Sequence, residues 1–291
     1  MSEAHFVKNY VAHIFPEMVK LPAFILILFI LSFQTGDQSS DNSRDIRVKY
    51  TLTYQRFADS KEVRTVNTVL IQNKNVSLFT FESLLRLNAI QKEHAITEGE
   101  ALGLTAPFNF LISKEGDNLT YYEVLGNEHY TFKEKVPTNW KLIGQDTLID
   151  GYSCKKGTIA YGGRIWNAYY APDIPTSLGP YKFSGLPGLI LRIADSENKF
   201  VFSASEVITG EFPIDETYEK YFVPDRGTRV FKVQPNEFYK IRKQYSQLSL
   251  NEQIRRLNND HGAKVDVSMQ GLNGETFDAN KPPRVRNFIE L

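Results

Sequence analysis

The sequence predicts a mainly β fold: a curved antiparallel sheet or sandwich with a helical insertion and C-terminal amphipathic helices. Three observations carry that expectation. Apolar and polar residues alternate with period two, as at Ile46, Val48, Tyr50, Leu52 and Tyr54, the pattern of a strand with one wet face. Turn-forming residues separate such segments at short intervals. Helical spacing is confined to an insertion and the last third of the chain, which argues against alternating β–α units.

Taken in order, residues 35–45 are polar, with Gly, Asp, Ser and Asn, and read as a flexible lead-in to one β-rich domain over 46–291. Val63 to Ile71 and Val76 to Phe81 continue the first strand's rhythm around an Asn73-Lys74-Asn75 turn. Residues 82–104 break it. Leu84, Leu85, Leu87, Ile90 and Ala95 among Glu, Lys and Gln predict a helical insertion. Strands resume at Phe108–Ser113, Thr120–Leu125 and His129–Glu134, with turns at 114–118 and Gly126-Asn127.

The clearest local signal is Thr158 to Tyr170, where two β-prone runs flank Gly162-Gly163. Glycine reaches positive φ freely, so the pair predicts a two-residue hairpin. In that register Tyr161 faces Arg164 and Ile159 faces Trp166. Ile159, Tyr161, Trp166, Ala168 and Tyr170 then share one face, which reads first as core and second as a ligand-stacking surface. Leu189–Ala194 and Phe200–Val207 are further strands across the Asp195–Asn198 turn. From Asn236 to His261, Phe238, Ile241, Tyr245, Leu248, Ile254 and Leu257 recur at helical intervals, with an interruption near Ser249.

Ahead of the domain, Met18-Val19-Lys20 leads into the apolar run Leu21–Phe33, and the chain then turns polar. A short basic start, an apolar run and a polar exit have the form of a signal peptide, with an uncleaved amphipathic or membrane-anchoring N-terminus as the alternative because no A-x-A cleavage pattern is present. The run falls short of the roughly 20 residues a membrane span needs. Residues 1–17 fit poorly before such a signal, and Met18 reads as the true start. The expected localisation is the periplasm, the outer membrane or beyond, without a transmembrane span in the mature chain.

The charges balance, with 34 Lys plus Arg against 34 Asp plus Glu. That composition gives no electrostatic case for nucleic acid. The local cluster Lys232, Lys240, Arg242, Lys243, Arg255 and Arg256 reads as a solvated helix face. Cys154 is the sole cysteine and reads first as a small buried hydrophobe. His94, His129 and His261 have no paired spacing, and no nucleophile elbow, phosphate loop or zinc motif is present. Asp173 and Asp195 read as turn formers. No residue is assigned a catalytic or metal-ligating role, and no cofactor is expected.

The most informative stretch is Gly179 to Leu191, with three glycines and two prolines running into an apolar strand. It reads as backbone engineering, a turn that sets strand register, with an apolar binding lip as the functional alternative. Gly179-Pro180, Phe183 and Gly185-Leu186-Pro187-Gly188-Leu189-Ile190 resemble the GLPGLI family of Bacteroidota exported proteins. Three other segments are similar to that family's: Gly151-Tyr152-x-Cys154-x-Lys156, Trp166-x-Ala168-Tyr169-Tyr170 with Ile174-Pro175, and the ending Arg286 to Leu291. In that ending Phe288 stands where proline is common. The resemblance implies export and a shared fold but no known activity.

The candidate binding residues are Trp166 and Tyr170 from the hairpin and, from the signature stretch, Pro180, Phe183, Gly185, Leu186, Pro187, Gly188 and Leu189. The expected function is a non-catalytic envelope module that binds or carries an apolar or polymeric ligand. A structural or accessory subunit of an outer-membrane machine stands second, and a hydrolase with carboxylates from separate loops third. The expected partners are an apolar ligand or an envelope protein complex.

Overall fold

The computed structural model describes residues 45–93, 108–214, 229–249, 251–253, 255, 256, 283 and 285–290. The expected signal segment, most of the lead-in, the insertion beyond Glu93 and the last helical stretch beyond 256 lie outside the described residues. All described residues belong to one unit, Arg44–Leu291.

The strands are β1 (Ile46–Gln55), β2 (Val63–Asn73), β3 (Val76–Phe81), β4 (Phe110–Glu115), β5 (Asn118–Leu125) and β6 (Glu128–Lys135). They continue with β7 (Lys141–Ile149), β8 (Tyr152–Tyr161), β9 (Arg164–Ala171), β10 (Leu189–Asp195), β11 (Phe200–Thr209) and β12 (Val230–Lys232). Helix α1 (Glu82–Glu93) follows β3, and α2 (Pro235–Ser246) follows β12. The strands form one sheet ordered β12-β6-β5-β4-β3-β2-β1-β11-β10-β9-β8-β7. Only β12 runs parallel to its neighbour. The fold is thus two meanders, β1–β6 and β7–β11, joined where β1 pairs with β11 across a bulge at Lys49/Tyr50. Among the described residues no helix is long and apolar enough to cross a membrane.

Turn chemistry explains the meanders. Gly162 (φ 58°) and Gly163 (φ 75°) close the β8–β9 hairpin, with Tyr161 opposite Arg164 and Ile159 opposite Trp166 as the spacing predicts. Asp150 (φ 48°) and Gly151 (φ 85°) make the same positive-φ pair between β7 and β8. Sequence reasoning passed over β7 because its residues are mostly exposed and do not alternate. The Asp150-Gly151 dipeptide was the available signal. It also missed the first half of β8 and the three-residue β12.

The sheet curls strongly. From β6 to β8 there are nine strand steps, roughly 43 Å on a flat sheet at about 4.8 Å per strand. Yet the Tyr161 hydroxyl at the end of β8 donates to Glu134 on β6 at 3.3 Å. The inner face is filled with rings. Phe79, Phe81 and Phe110 pack together, Tyr121 stacks on Phe132 at 4.8 Å, and Phe238 of α2 sits 5.3 Å from Phe132. Pro235 starts α2, where a missing N–H costs nothing. Phe238 and Arg242, four residues apart, are the helix's buried stripe.

Arg242 therefore departs from its expected place on a solvated helix face. It is 5% exposed. Its guanidinium lies 3.6 Å from the Glu123 carboxylate and donates to the Glu290 backbone carbonyl at 3.2 Å. Spacing puts residues 238 and 242 on one face whatever their charge, and a buried carboxylate opposite decides that the cation follows the ring inward.

Candidate functional site

Three segments singled out in the sequence meet inside the curled sheet. The link from Ala171 to Leu189 folds back on itself: Gly185 N–H donates to Ser177 O, and Leu189 N–H donates to Ile174 O. Ile190 N–H reaches Leu178 O at 2.9 Å, and the Tyr50 hydroxyl of β1 donates to Ile190 O at 2.8 Å. Gly188 (φ 151°) lies so close to the preceding strand that an added Cβ would sit 2.4 Å from Ala171 O. This is a backbone reason for glycine there.

The second segment is the hairpin, whose Arg164 holds the third, the chain's end. Arg164 pairs with Asp195 at 2.8 Å and donates to Asn287 Oδ1, Phe288 O and Ile289 O. Asp195 also accepts from Phe200 N–H at 3.0 Å, so it closes its turn as expected and neutralises Arg164 as well. The end of the chain is thereby inserted under the hairpin, where Glu290 is 4% exposed. A Cβ on Gly162 would sit 2.7 Å from Glu290 Cγ.

Lys182 stands where the three meet. Its side chain is fully buried, and Nζ lies 2.7 Å from Glu290 Oε1 and 2.5 Å from Glu134 Oε1. It also donates to the Tyr239 hydroxyl at 2.7 Å. Rings of Tyr121, Phe132, Tyr181 and Tyr239 surround the ammonium at 4.7–5.4 Å, and π faces stabilise a desolvated cation. Tyr181 has φ 57°, uncommon for a bulky residue. That turn lets consecutive residues 181 and 182 both project inward, which extended backbone forbids. The Tyr181 hydroxyl donates to Glu290 Oε1.

Two carboxylates around one ammonium are driven apart. Burial raises the Glu290 carboxyl, but the Lys182 charge and hydrogen bonds from Lys182, Tyr181 and Tyr239 outweigh it and hold it below its ordinary value. At Glu134 burial prevails over Lys182 and pushes the carboxyl up. Burial likewise raises Glu123 despite Arg242 and the Tyr121 hydroxyl 2.6 Å away. The Tyr181 and Tyr121 hydroxyls are raised mainly by burial and stay protonated as donors. Lysine and tyrosine lie within the signature stretch, so the stretch that reads as backbone alone also carries a buried ionic side-chain cluster. The sequence clue was a Lys amid Gly, Pro and aromatic residues, where only burial with a partner makes sense.

The candidate binding residues fall mainly inside. Trp166, Tyr170, Phe183, Leu186 and Leu189 are at most 3% exposed, and Pro180 and Gly188 are buried too. Phe183 is the hub, with ring centroids of Trp166 at 4.7 Å and Tyr161 at 5.7 Å. Gly185 and Pro187 are exposed. Cys154 is fully buried, as read from its type, and burial raises its thiol.

The outer face of the same strands holds an open groove of about 340 Å³. Its floor is a cross-strand row: Lys156 of β8 opposite Tyr169 of β9, and Tyr169 opposite Arg192 of β10. Gln145, Asn167 and Asn198 line its sides, and Lys156 Nζ lies 5.8 Å from the Tyr169 ring centre. Sequence reading missed these residues because it followed the inward partners on the same strands. Beside the groove, edge strand β7 exposes Leu142 and Leu148, and Tyr152 and Ile165 are exposed on β8 and β9. Among the described residues no group of three or more His, Cys, Asp or Glu is placed to hold a metal ion.

A family model described as "Protein of unknown function (Porph_ging)" matches residues 162–192, the hairpin's turn, β9, the signature stretch and the start of β10. The match fits a Bacteroidota family of unknown function. No curated protein matches the chain. Among solved structures, the chain is similar to PNGF-II at 13% identity and a TM-score of 0.48, over 72% of this chain and 34% of that one. It thus spans about a third of that protein. An uncharacterized conserved protein from Thermus thermophilus matches at 10% identity and a TM-score of 0.33, over 66% and 91% of the two chains. A LolA superfamily protein from Nitrosomonas europaea matches at 10% identity and 0.29, over 63% and 92%. Scores this low do not establish a shared fold.

Proposed function

We propose that this chain is an exported cell-envelope protein of the GLPGLI type that binds a polymeric ligand, a saccharide or extended peptide, without converting it. The groove on the outer face carries this reading. Two cations flank an aromatic ring along one cross-strand row, and amides line the sides. Such a surface offers stacking and hydrogen bonds to a polar chain. Among the described residues, the cavity beside Lys182 has space for about one water, about 10 Å³. An apolar ligand of any size placed beside Lys182 would have to displace the aromatic packing. The carboxylates Glu134 and Glu290 meet on Lys182 within the packing rather than in an open cleft, which supports a binding role over a hydrolase.

The test is recovery of the protein from its own envelope, as wild type and as Tyr169→Ala, with analysis of bound material. A saccharide or peptide retained by the wild type and lost by Tyr169→Ala is the expected result. Lipid in place of polymer, retained by both, would overturn the reading in favour of a carrier. A second reading, an accessory subunit, is favoured by edge strand β7. Its exposed Leu142 and Leu148 and open backbone groups suit a partner that adds a strand. Membrane-complex copurification lost on Leu148→Lys would favour it.

A further inference from the structure

We propose that Lys182 and Glu290 become covalently joined: Nζ of Lys182 forms an amide with the side-chain carbonyl carbon of Glu290. The signature loop is thereby tied to the end of the chain, across 107 intervening positions in the sequence. Nζ is 2.7 Å from Glu290 Oε1, and both side chains are withdrawn from water. Held in this way, the two groups react as one molecule, with an effective concentration on the order of 10⁵ M or more. Exclusion of bulk water favours condensation over hydrolysis, and the neutral amide replaces an ion pair whose burial is costly.

The step balances without any co-reactant. A proton passes from the ammonium to the Glu290 carboxylate, leaving a neutral amine and a carboxylic acid. The Nζ lone pair attacks the carbonyl carbon, and the C–N bond forms. Glu134, 2.5 Å from Nζ, takes the second proton from nitrogen and delivers it to the departing hydroxyl. The C–O bond breaks and one water leaves, so ammonium plus carboxylate become amide plus water. Glu134 ends as it began, and its carboxyl, raised by burial, suits a group that takes and returns a proton. The Tyr181 hydroxyl, already bonded to Glu290 Oε1, stabilises the oxygen as charge builds on it. The water-sized cavity bordered by Tyr181, Lys182 and Ser184 can receive the product.

The experiment is mass spectrometry of the folded full chain after incubation at neutral pH, intact and after trypsin. The intact chain is expected about 18 Da, one water, below its sequence mass, and Lys182→Arg shows no such deficit. Trypsin should yield the peptide Ile165–Arg192, uncut after Lys182, joined to Asn287–Leu291. Glu290→Gln is expected to lose about 17 Da, one ammonia, instead. Glu134→Gln should slow the reaction roughly 100-fold while leaving the fold intact by circular dichroism. A folded wild-type chain whose digest releases peptides ending at a free Lys182, and whose mass equals that of its sequence, would overturn the proposal.

Discussion

The two faces of the β7–β10 region share one backbone and behave as different materials. On β9, Trp166, Ala168 and Tyr170 point inward and are at most 3% exposed, whereas Ile165 on the other face is 57% exposed. The inner face holds its charges dry and satisfied: Arg164 on Asp195, and Lys182 between Glu134 and Glu290. The outer face holds Lys156, Tyr169 and Arg192 half-buried around an open groove. Charge is therefore not what distinguishes a site from a core in this molecule. Access to solvent is, and the period-two geometry of a strand assigns it residue by residue.

The largest expected effect lies inside. Lys182→Met should destabilise the fold by about 3–5 kcal/mol, because it leaves the buried Glu290 and the partly buried Glu134 without their cation. Urea denaturation checks this, and adding Glu290→Gln should recover part of the loss. A result near zero would mean that the core admits water, and would erase the contrast between the faces.

Next comes the signature turn itself. Gly188→Ala should cost about 2–4 kcal/mol, since its Cβ meets the Ala171 carbonyl oxygen at 2.4 Å and its φ is unfavourable for other residues. Gly185→Ala faces nothing nearer than Trp140 Nε1 at 3.9 Å, so only backbone strain remains, about 1–2 kcal/mol. The order of these two melting temperatures sharpens the comparison within a single hexapeptide.

A pH effect should follow from Glu123. Its carboxyl is raised by burial in the folded state, so the folded chain binds its proton before the unfolded chain does. Stability should rise as the pH falls through the folded value toward the ordinary 4.5, and the gain is absent above it. Denaturation midpoints at neutral and mildly acidic pH check the sign, and Glu123→Gln should flatten that part of the profile.

The smallest effects belong outside. Leu148→Ala on the open edge should change stability by no more than about 0.5 kcal/mol. Tyr169→Ala should cost about 1 kcal/mol at most, from its contact with Lys156, while abolishing ligand retention. A large loss of stability from either would show that the outer face is structural after all.

Much of the fold was legible because strands with one wet face announce themselves. The β1 alternation, the Gly162-Gly163 hairpin and the Leu189 strand needed only local rules. β7 was not legible, since a solvated edge strand has no buried set to alternate. Arg242 was misread, and Lys182 passed over, for a related reason. A sequence records that a residue is charged, and a default places charge in water unless a partner is known. Their partners, Glu123, Glu134 and Glu290, lie on strands and a terminus remote in sequence.

By itself, then, the sequence determined the mainly β class, the turns, the inward face of the hairpin and the signature loop, since each rests on backbone preferences acting within a few residues. The tertiary structure alone decided that the sheet curls until β6 meets β8, that the chain's end inserts beneath Arg164, and that Lys182 sits among carboxylates and rings. Those outcomes depend on curling the open sheet around a filled interior. Only there do residues distant in the chain come within hydrogen-bonding distance and lose their water together.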